Sequence, residues 1–173
     1  MAHLRPANRG DEAPIAEIHR AAFAGQAEAT LVAALTTSGD AQISLVAEMH
    51  GQLAGHILLS SLLAPPQCLT LAPLAVLPSH QNRGIGGALI KEGLRRAQAL
   101  GWKGVFVLGE PAYYGRFDFS LDLAAPFDSP YPKDFMMAIE LMPGGLKPDD
   151  LPSGSARIVY PAPFDGLDPG TLN

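Results

Sequence analysis

A run of the chain without charged side chains sets the first limit on the fold. Residues 53–77 contain no Asp, Glu, Lys or Arg. The run is longer than the roughly 20 residues that a helix needs to cross a bilayer. However, Gly55, His56, Ser60–Ser61, Pro65–Pro66 and Pro73 interrupt it, and the pieces on either side of the proline pair have the lengths of strands. We therefore predict two buried strands and no membrane span.

The rest of the chain alternates between predicted helices and strands. His50–Gly51 is placed as the turn of a hairpin. Asp11 is placed to cap a first helix with Ile15, Ile18, Ala22 and Phe23 on one face, and Ala27, Leu31, Ala34 and Leu35 repeat with helical spacing in a second. A longer helix begins near Gly84 and ends at Leu100–Gly101, and Pro111 begins a short one. The predicted strands cover residues 3–7, 43–48, 53–60, 68–77, 104–109, 135–141 and 156–160.

Length and charge exclude several classes of protein. A chain of 173 residues fits a single domain, so one domain over residues 1–173 is expected. The formal net charge of −5 disfavours nucleic-acid binding, which needs a basic face. Cys68 is the only cysteine, which disfavours both a disulfide framework and a thiolate metal site, and fits a reducing compartment. Residues 1–14 lack the apolar core of a signal peptide. These features favour a cytoplasmic protein without a metal, with neither nucleic acid nor membrane as partner.

The segment QNRGIGG, residues 81–87, has the composition of an anion site. A helix begins with backbone N–H groups that have no partner in the helix and with the positive end of its dipole. Glycines at this place allow an anion to approach the backbone closely, and Arg83 adds a positive charge. The same glycines could instead serve only a turn and close packing of the helix on the sheet. The order strand, loop, helix, strand favours a phosphate cradle.

Two familiar phosphate motifs fit this segment poorly. No Lys-Ser or Lys-Thr pair follows the glycines, as a P-loop requires. Gly84-Ile85-Gly86 supplies the first two glycines of a dinucleotide fingerprint, but Leu89 stands where the third glycine or alanine belongs. Glu110 also lies farther along than the acidic residue of that fingerprint. A nucleotide-binding oxidoreductase is therefore a weaker alternative.

A third motif matches, and it identifies a resemblance to a family. Gln81-Asn82-Arg83-Gly84-Ile85-Gly86 fits the pattern Gln/Arg-x-x-Gly-x-Gly/Ala, with LAVLP before it and GALIKEGLRRAQALG after it. This segment resembles the coenzyme A signature of the GNAT superfamily of acyl-CoA N-acyltransferases. LRPANRGDEAPIAEIHRAAF resembles the first strand and helix of that family, and YYGRFDF resembles its Tyr-x-x-x-Gly-Phe ending. The resemblance covers residues 3–119 and suggests a branch of small bacterial acetyltransferases.

The resemblance implies a fold. It is a mixed α/β fold with a mostly antiparallel central sheet of about seven strands, helices on both faces and a split between the fourth and fifth strands. The residues offer independent support for the split, because Pro73 cannot donate to a sheet ladder and indicates that its strand lacks a full partner on one side.

The resemblance also implies the site and the cosubstrate, acetyl-CoA. Backbone N–H groups of Gln81, Asn82, Arg83, Gly84, Ile85 and Gly86, with Gly87 close by, hold the pyrophosphate of coenzyme A. Leu74, Ala75 and Val76 pair with the pantetheine arm as a neighbouring strand would. A backbone N–H near Ala75 or Val76 stabilises the oxyanion.

Tyr114 matches the general acid of the family. A phenol is protonated at neutral pH and can donate to a departing thiolate. The adjacent Tyr113 is a second candidate for the general acid. One helical step points the two side chains in different directions, so we expect one tyrosine to face the cofactor and the other to pack in the core. Glu110, His56 and Glu28 could each reach the cleft as a base, and Glu110 is the candidate retained; the resemblance also allows a water relay in place of a dedicated base. His56 is better explained as a hydrogen-bonded core histidine, and Glu28 as part of a solvated helix face.

Two residues depart from the pattern of the family. Asp118 stands where the glycine of the Gly-Phe pair is expected, which has little effect if the backbone there is ordinary. Gly109-Glu110 replaces an asparagine often found after the fifth strand in that family, which removes a group that the resemblance implies would orient the pantetheine or an active-site water.

The sequence thus predicts an N-acetyltransferase that acts on a small-molecule or peptide amine of unknown identity. A non-catalytic coenzyme A sensor is the alternative binding module, and Tyr114 argues against it. Whether the chain forms a homodimer, and whether the proline-rich loop 120–133 contacts substrate, the sequence leaves open.

Overall fold

The computed structural model describes residues 1–151 and 156–169. One six-stranded sheet runs through it in the order β1-β2-β3-β4-β5-β6. β4 and β5 pair in parallel, and every other neighbouring pair is antiparallel. The strands are β1 (His3–Pro6), β2 (Ala41–Met49), β3 (Gln52–Ser61), β4 (Cys68–Val76), β5 (Gly104–Leu108) and β6 (Met136–Glu140).

Helices cover both faces of the sheet. α1 (Glu12–Phe23) and α2 (Ala27–Ser38) pack on one face, and α3 (Ile85–Ala99) packs on the other against β2, β3 and β4. α4 (Pro111–Tyr114) is continued by a 3₁₀ turn (Gly115–Phe117) that lies against α3. α5 (Leu121–Ala124) lies on β6. Shorter 3₁₀ turns are Arg9–Asp11, Pro78–His80, Lys133–Phe135, Pro148–Asp150 and Ala162–Phe164. This is the mixed α/β architecture that the sequence predicted.

The prediction of a seventh strand, over residues 156–160, is wrong. Residues 156–160 form isolated bridges instead, Val159 with Ala64 and Arg157 with Asp128. Pro161 follows immediately and cannot extend a ladder. The segment therefore crosses the face that carries α1 and α2, where Ile158 and Phe164 are buried with Phe106 and Phe127. The predicted Gly/Pro-rich connection, 143–154, lies partly outside the described residues.

The start of α1 also differs from the prediction. Asp11 precedes the helix, but its side chain makes no cap hydrogen bond to the α1 backbone. Asn8 caps the preceding 3₁₀ turn by accepting from the Gly10 N–H at 2.9 Å. The Asp11 carboxylate accepts from the Asn8 N–H at 2.8 Å and from both terminal nitrogens of Arg5, at 2.8 and 3.0 Å. Two chain segments are thereby tied together at the entrance to α1.

β4 contains a bulge where the uncharged run predicted a buried strand. Leu71 pairs with Leu59 and Leu74 pairs with Ile57, so Ala72 and Pro73 together face one residue of β3. The extra residue reverses the alternation of side chains. Leu71 and Leu74, three positions apart, consequently both face the α3 side of the sheet.

The split between β4 and β5 is present. β5 pairs with β4 only at Cys68, Leu69 and Thr70, whereas β3 pairs with β4 as far as Val76. Within the described residues, the part of β4 beyond Thr70 therefore has a strand on one side only. Pro73 lies in this part, as its missing N–H indicated. Among the described residues no helix combines the length and the apolar character needed to cross a bilayer.

Candidate functional site

A cleft of about 850 Å³ lies between the start of α3, the open edge of β4 and the segment that contains α4. The side chains and backbone that line it come from residues far apart in sequence. They are Leu74, Val76, His80, Gln81, Asn82, Gly84, Ile85, Gly86, Gly87, Ala88, Lys91, Tyr113, Arg116 and Phe117.

The α3 end of the cleft is a helix start without a side-chain cap. Gly84 precedes α3 with a φ of 79°, a left-handed conformation suited to glycine, and no side chain caps the helix there. The intrahelical bonds begin only with the Ala88 N–H, which donates to the Gly84 carbonyl at 3.0 Å. The N–H groups of Ile85, Gly86 and Gly87 thus lie in the first turn, where the positive end of the dipole attracts an anion.

The β4 side of the cleft offers backbone groups that pair with no other strand among the described residues. The Leu77 N–H donates to the Ala54 carbonyl at 2.8 Å, which makes that residue pair a hydrogen-bonded one. Bonded and non-bonded pairs alternate along an antiparallel ladder, so the N–H and C=O of Val76 and of Leu74 point away from β3. Gln81 Nε2 accordingly donates to the Val76 carbonyl at 3.0 Å. The Ala75 N–H faces β3, so the amides at the open edge are those of Leu74 and Val76.

Gly86 is the position where a side chain would fill the cleft. A Cβ atom there would lie 2.8 Å from the Tyr113 hydroxyl, 3.8 Å from Val76 Cγ2 and 3.9 Å from Leu74 Cδ2. The missing side chain therefore leaves the first turn of α3 open toward β4. The same distances place the Tyr113 hydroxyl between the helix start and the open edge of the strand.

The two adjacent tyrosines occupy different places. Tyr113 is half-buried and lines the cleft, whereas Tyr114 is buried. The Tyr114 ring packs so closely on the backbone after β5 that a Cβ at Gly109 would overlap it, and it meets Phe119 edge to face at 5.8 Å between ring centroids. Burial raises the pKa of both hydroxyls above the ordinary tyrosine value, so both stay protonated at neutral pH.

Not every predicted site residue lines the cleft. Of the predicted cofactor residues, Arg83 is exposed outside it and Ala75 is buried in the sheet. Glu110 is exposed immediately before α4 and likewise lies outside the cleft lining. The basic side chains that do line it, those of His80, Lys91 and Arg116, were not predicted. The signal for Lys91 was its spacing, one helical turn after Gly87 on the same face.

His56 and Glu28 face the other side of the sheet. His56 is fully buried and lies between His19 Nε2 at 2.8 Å and the Ser44 hydroxyl at 2.9 Å, the hydrogen-bonded core histidine that was expected. Glu28 is 6% exposed, so the expectation of a solvated helix face is wrong. It lies one turn before the buried Leu31 and Val32 on the same face of α2, in the first turn, where the helix dipole favours a carboxylate.

The backbone at Asp118 does not have the ordinary conformation that would make the replacement of glycine unimportant. Asp118 has a φ of 70°, in the left-handed region that favours glycine. The glycine expected here would take this conformation without strain, and aspartate is among the residues that tolerate it.

Comparisons with known proteins agree with this geometry. The family model of the acetyltransferase (GNAT) family matches residues 12–119. YjhQ of Escherichia coli, named as an uncharacterized N-acetyltransferase, is 36% identical over 137 residues, which cover 73% of this chain and 76% of YjhQ. The chain belongs to the GNAT family and, like the relatives named for this activity, is an N-acetyltransferase.

Two solved structures share the fold over nearly the whole chain. The GNAT N-acetyltransferase YhbS of Escherichia coli, in complex with CoA, superposes with a TM-score of 0.88 at 27% identity and covers 96% of this chain and 93% of YhbS. A GNAT acetyltransferase from Brucella melitensis, in complex with acetyl-CoA, has a TM-score of 0.78 at 33% identity and covers 95% of this chain and 99% of its own. The cosubstrate class of this family is thus coenzyme A and its acetyl thioester.

Proposed function

We propose that this protein transfers the acetyl group of acetyl-CoA to a primary or secondary amine by direct attack on the thioester, in the cleft described above. The observation that supports this proposal most directly is that one cleft connects the uncapped start of α3 with the unpaired edge of β4. The first feature suits a pyrophosphate and the second suits an amide-containing arm, and coenzyme A contains both in series.

Backbone groups bind the cosubstrate in this proposal. The N–H groups at the start of α3, from Gly84 to Gly87, hold the pyrophosphate, with Gln81 and Asn82 at the rim of the cleft. The N–H and C=O groups of Leu74 and Val76 pair with the pantetheine amides as a strand of the sheet would. The side chain of Gln81 occupies the Val76 carbonyl and yields it when the arm pairs there.

The same strand edge provides the oxyanion donor. The amine nitrogen attacks the thioester carbonyl, and negative charge develops on its oxygen. A backbone N–H at the open edge, from Leu74 or Val76, points toward the gap into which that carbonyl would project. Ala75 is the less suitable donor because its N–H faces β3.

Tyr114 protonates the leaving group. The new C–N bond forms as the C–S bond breaks, and the thiolate of coenzyme A takes the phenolic proton of Tyr114. With the pyrophosphate at α3 and the arm running along β4 from Val76 toward Leu74, the sulfur lies deepest in the split, near the end of β5. The Tyr114 ring packs at that end, against Gly109, whereas the Tyr113 hydroxyl lies nearer the helix.

Glu110 is the proposed base. Its carboxylate is exposed immediately after β5, next to the glycine on which Tyr114 packs. It takes the proton that the amine loses, and the phenolate of Tyr114 regains a proton from solvent or from this base. The acceptor in this proposal is a small-molecule or peptide amine.

Thermal unfolding tests the cosubstrate without a known acceptor. A ligand that binds only the folded state stabilises it by about 2.7 kcal/mol at a hundredfold excess over Kd. For a chain of this size, acetyl-CoA or coenzyme A should therefore raise Tm by roughly 5–10 °C, ADP should raise it less, and NAD should have no effect. An unchanged Tm with millimolar acetyl-CoA, in protein free of co-purified cofactor, contradicts the proposal.

A pair of tyrosine variants tests the acid, on an acceptor found by screening amines for release of free thiol. Tyr114→Phe removes only the hydroxyl, so kcat should fall roughly 10–10⁴-fold with little change in the affinity for acetyl-CoA. Tyr113→Phe is the matched control and should have a mild effect on kcat. Equal kcat values for the two variants would exclude Tyr114 as the acid, and a larger loss with Tyr113→Phe would assign the role to Tyr113.

A further inference from the structure

A second pocket lies on the face of the sheet that carries α1 and α2, opposite to the face that carries α3. Its volume is about 450 Å³, and its lining comes from α1, α2, the start of β2 and the segment between β1 and α1. Pockets of this size hold small molecules. Because β3 lies between β2 and β4, this α1–α2 pocket is separated from the split of the sheet. A ligand of this pocket is therefore neither the cosubstrate nor the acceptor of the proposed reaction.

The lining of the α1–α2 pocket is largely apolar and carries no net charge. It includes the buried side chains of Ile15, Ala29 and Val32. Further methyl groups come from Ala7, Ala16, Ala33 and Ala41. The charged side chains of the described lining are those of Arg9 and Glu12, which are exposed and opposite in sign. Such a lining favours an uncharged ligand with a mostly aliphatic body.

One polar side chain of this lining, that of Ser44, is held by a buried chain of hydrogen bonds. Ser44 Oγ lies 2.9 Å from His56 Nε2, and His56 Nδ1 lies 2.8 Å from His19 Nε2. Both histidines are fully buried between α1 and the sheet. Ser44 lies two residues before Val46 on β2, so its side chain points to the same face as the buried Val46, toward α1 and α2. The chain of hydrogen bonds therefore ends at a hydroxyl in the pocket wall.

The direction of these hydrogen bonds follows from the other end of the chain. His19 Nδ1 is buried and has no hydrogen-bond partner in the part of the protein that the structure describes. Burial lowers the pKa of both histidines, so each imidazole is neutral at pH 7 and carries one proton. A buried N–H without an acceptor is rarer in proteins than a buried acceptor without a donor. The proton of His19 is therefore on Nε2, from which it is donated to His56 Nδ1.

The same direction leaves the hydroxyl proton of Ser44 available to a ligand. Since His56 Nδ1 accepts from His19, the proton of His56 is on Nε2 and is donated to Ser44 Oγ. Among the described residues, His56 is the hydrogen-bond partner found for this hydroxyl. Ser44 consequently accepts from the protein and has its own O–H left to donate into the pocket.

We propose that the α1–α2 pocket binds an uncharged aliphatic carbonyl compound, a ketone or an ester, whose carbonyl oxygen accepts the hydroxyl proton of Ser44. A carbonyl oxygen accepts without donating, which matches a hydroxyl that already accepts from His56. A carboxylate would lose its hydration beside apolar side chains, with Arg9 exposed to solvent. An ammonium group has only donors and cannot accept from Ser44.

The positions of the histidine protons test the first step of this proposal. In a long-range ¹H–¹⁵N correlation spectrum at pH 7, His19 and His56 should both carry their proton on Nε2. A proton on Nδ1 of His56 would reverse the chain of hydrogen bonds. Ser44 would then donate to His56 and have no proton to offer, which overturns the proposal.

Binding of three cyclohexane derivatives tests the class of ligand. In ¹H–¹⁵N spectra, cyclohexanone should shift the amide signals of residues that line the α1–α2 pocket, with the millimolar affinity expected of so small a molecule. Cyclohexanecarboxylate and cyclohexylammonium should bind severalfold more weakly. Ser44→Ala should weaken the binding of cyclohexanone roughly 2–10-fold, as the loss of one neutral hydrogen bond predicts.

Two further variants make the test specific. Ser79→Ala removes an exposed hydroxyl outside the pocket and should preserve the affinity for cyclohexanone. Ala33→Met fills the pocket from an exposed position of α2 and should abolish binding. Circular dichroism confirms that each variant is folded. Both Ser44→Ala and Ala33→Met should leave the affinity for coenzyme A unchanged, since neither residue lines the cleft at the start of α3.

Several outcomes would overturn this site. They are the absence of shifts at the pocket amides with cyclohexanone at tens of millimolar, equal affinities for the three compounds, and equal affinities of the wild type and Ser44→Ala for cyclohexanone. None of these measurements uses acetyl-CoA or an acceptor, so the proposed function and this site can fail independently of each other.

Discussion

Two helix starts in this protein are built in opposite ways: that of the 3₁₀ turn Arg9–Asp11, which leads directly into α1, and that of α3. At the entrance to α1, Asn8 accepts from the Gly10 N–H, and Asp11 accepts from the Asn8 N–H and from Arg5. At the start of α3, Gly84 has no side chain to offer, and the first-turn N–H groups face a cleft lined by cations. The first start is completed by the chain itself, and the second is left for a ligand.

This difference shows how the same backbone chemistry serves stability in one place and binding in another. Unpaired N–H groups at a helix start cost free energy unless something accepts from them. Supplying acceptors from side chains stabilises the folded state, whereas withholding them provides a site for an anion. Changes at the α1 start should therefore alter stability without altering cosubstrate affinity, and changes at the α3 start should do the reverse.

The largest effect is expected at Gly86. Gly86→Val places a branched side chain in the space between α3 and the Tyr113 hydroxyl, so the affinity for coenzyme A should fall about 100-fold or more, while Tm changes little. Calorimetric titration measures the affinity. The same substitution in a Tyr113→Phe background separates a clash with the hydroxyl from a clash with the ligand, since only the latter persists. Gly25→Ala, where a Cβ has room, is the control. Unchanged affinity in a folded Gly86→Val protein would place the phosphates elsewhere.

A smaller effect, on stability alone, is expected at Asp11. Asp11→Ala removes the acceptor for the Asn8 N–H and for Arg5, so the free energy of unfolding should fall by about 1–3 kcal/mol. Urea titration measures this loss. Glu17→Ala, which removes an exposed pair with Arg20, should cost less than 1 kcal/mol. A change in coenzyme A affinity for Asp11→Ala would break the comparison between the two helix starts.

The smallest effect is a dependence of stability on pH that arises from two histidines buried between α1 and the sheet. Burial lowers the pKa of His19 to about 4 and that of His56 well below 6.5, in spite of the opposing charge of Asp11. Below pH 6.5 the unfolded chain therefore binds more protons than the folded one at these sites, and stability falls as pH decreases toward 4. We expect each of the two histidines to contribute a loss of about 1 kcal/mol between pH 7 and pH 5.5.

The contribution of Asp11 falls in a different range of pH. Its hydrogen bond with Arg5 lowers the pKa of this carboxyl from 3.8, so its contribution is present above that value and is lost as pH falls below it. His19→Gln should flatten the dependence between pH 6.5 and pH 4, and Asp11→Ala should not. A Tm that is constant from pH 7 to pH 5 would show that the histidines stay accessible to protons in the folded state.

The sequence predicted those features that depend on local backbone chemistry. The proline-broken uncharged run predicted two buried strands, Pro73 indicated a one-sided strand, and the glycines of residues 84–87 marked the helix start. Each of these inferences needs only the conformational limits of one residue and its neighbours. The hairpin turn at His50–Gly51 is of the same kind, since both residues take positive φ.

The remaining features depend on packing between distant segments. Arg83 adjoins the glycines in sequence yet lies outside the cleft, whereas Arg116 reaches it because Phe117 packs on Gly87. Glu28 is buried because its helix face packs inward, which a helix of nearly uniform polarity does not reveal. The missing seventh strand results from where residues 156–160 pack, on the α1 side of the sheet.

The bulge in β4 holds one residue more than a regular ladder would. Deleting Ala72 would leave Leu71 opposite Leu59 and Leu74 opposite Ile57, two positions apart, so both side chains would still face α3 and the amides of Leu74 and Val76 would still face the gap. The deletion would remove only the local bend and extra twist that a bulge gives to its strand. Deleting Ala75, beyond the bulge, would instead bring Val76 opposite His56 and turn its amide toward β3. The bulge is therefore the point of this strand where the loss of one residue should be tolerated best.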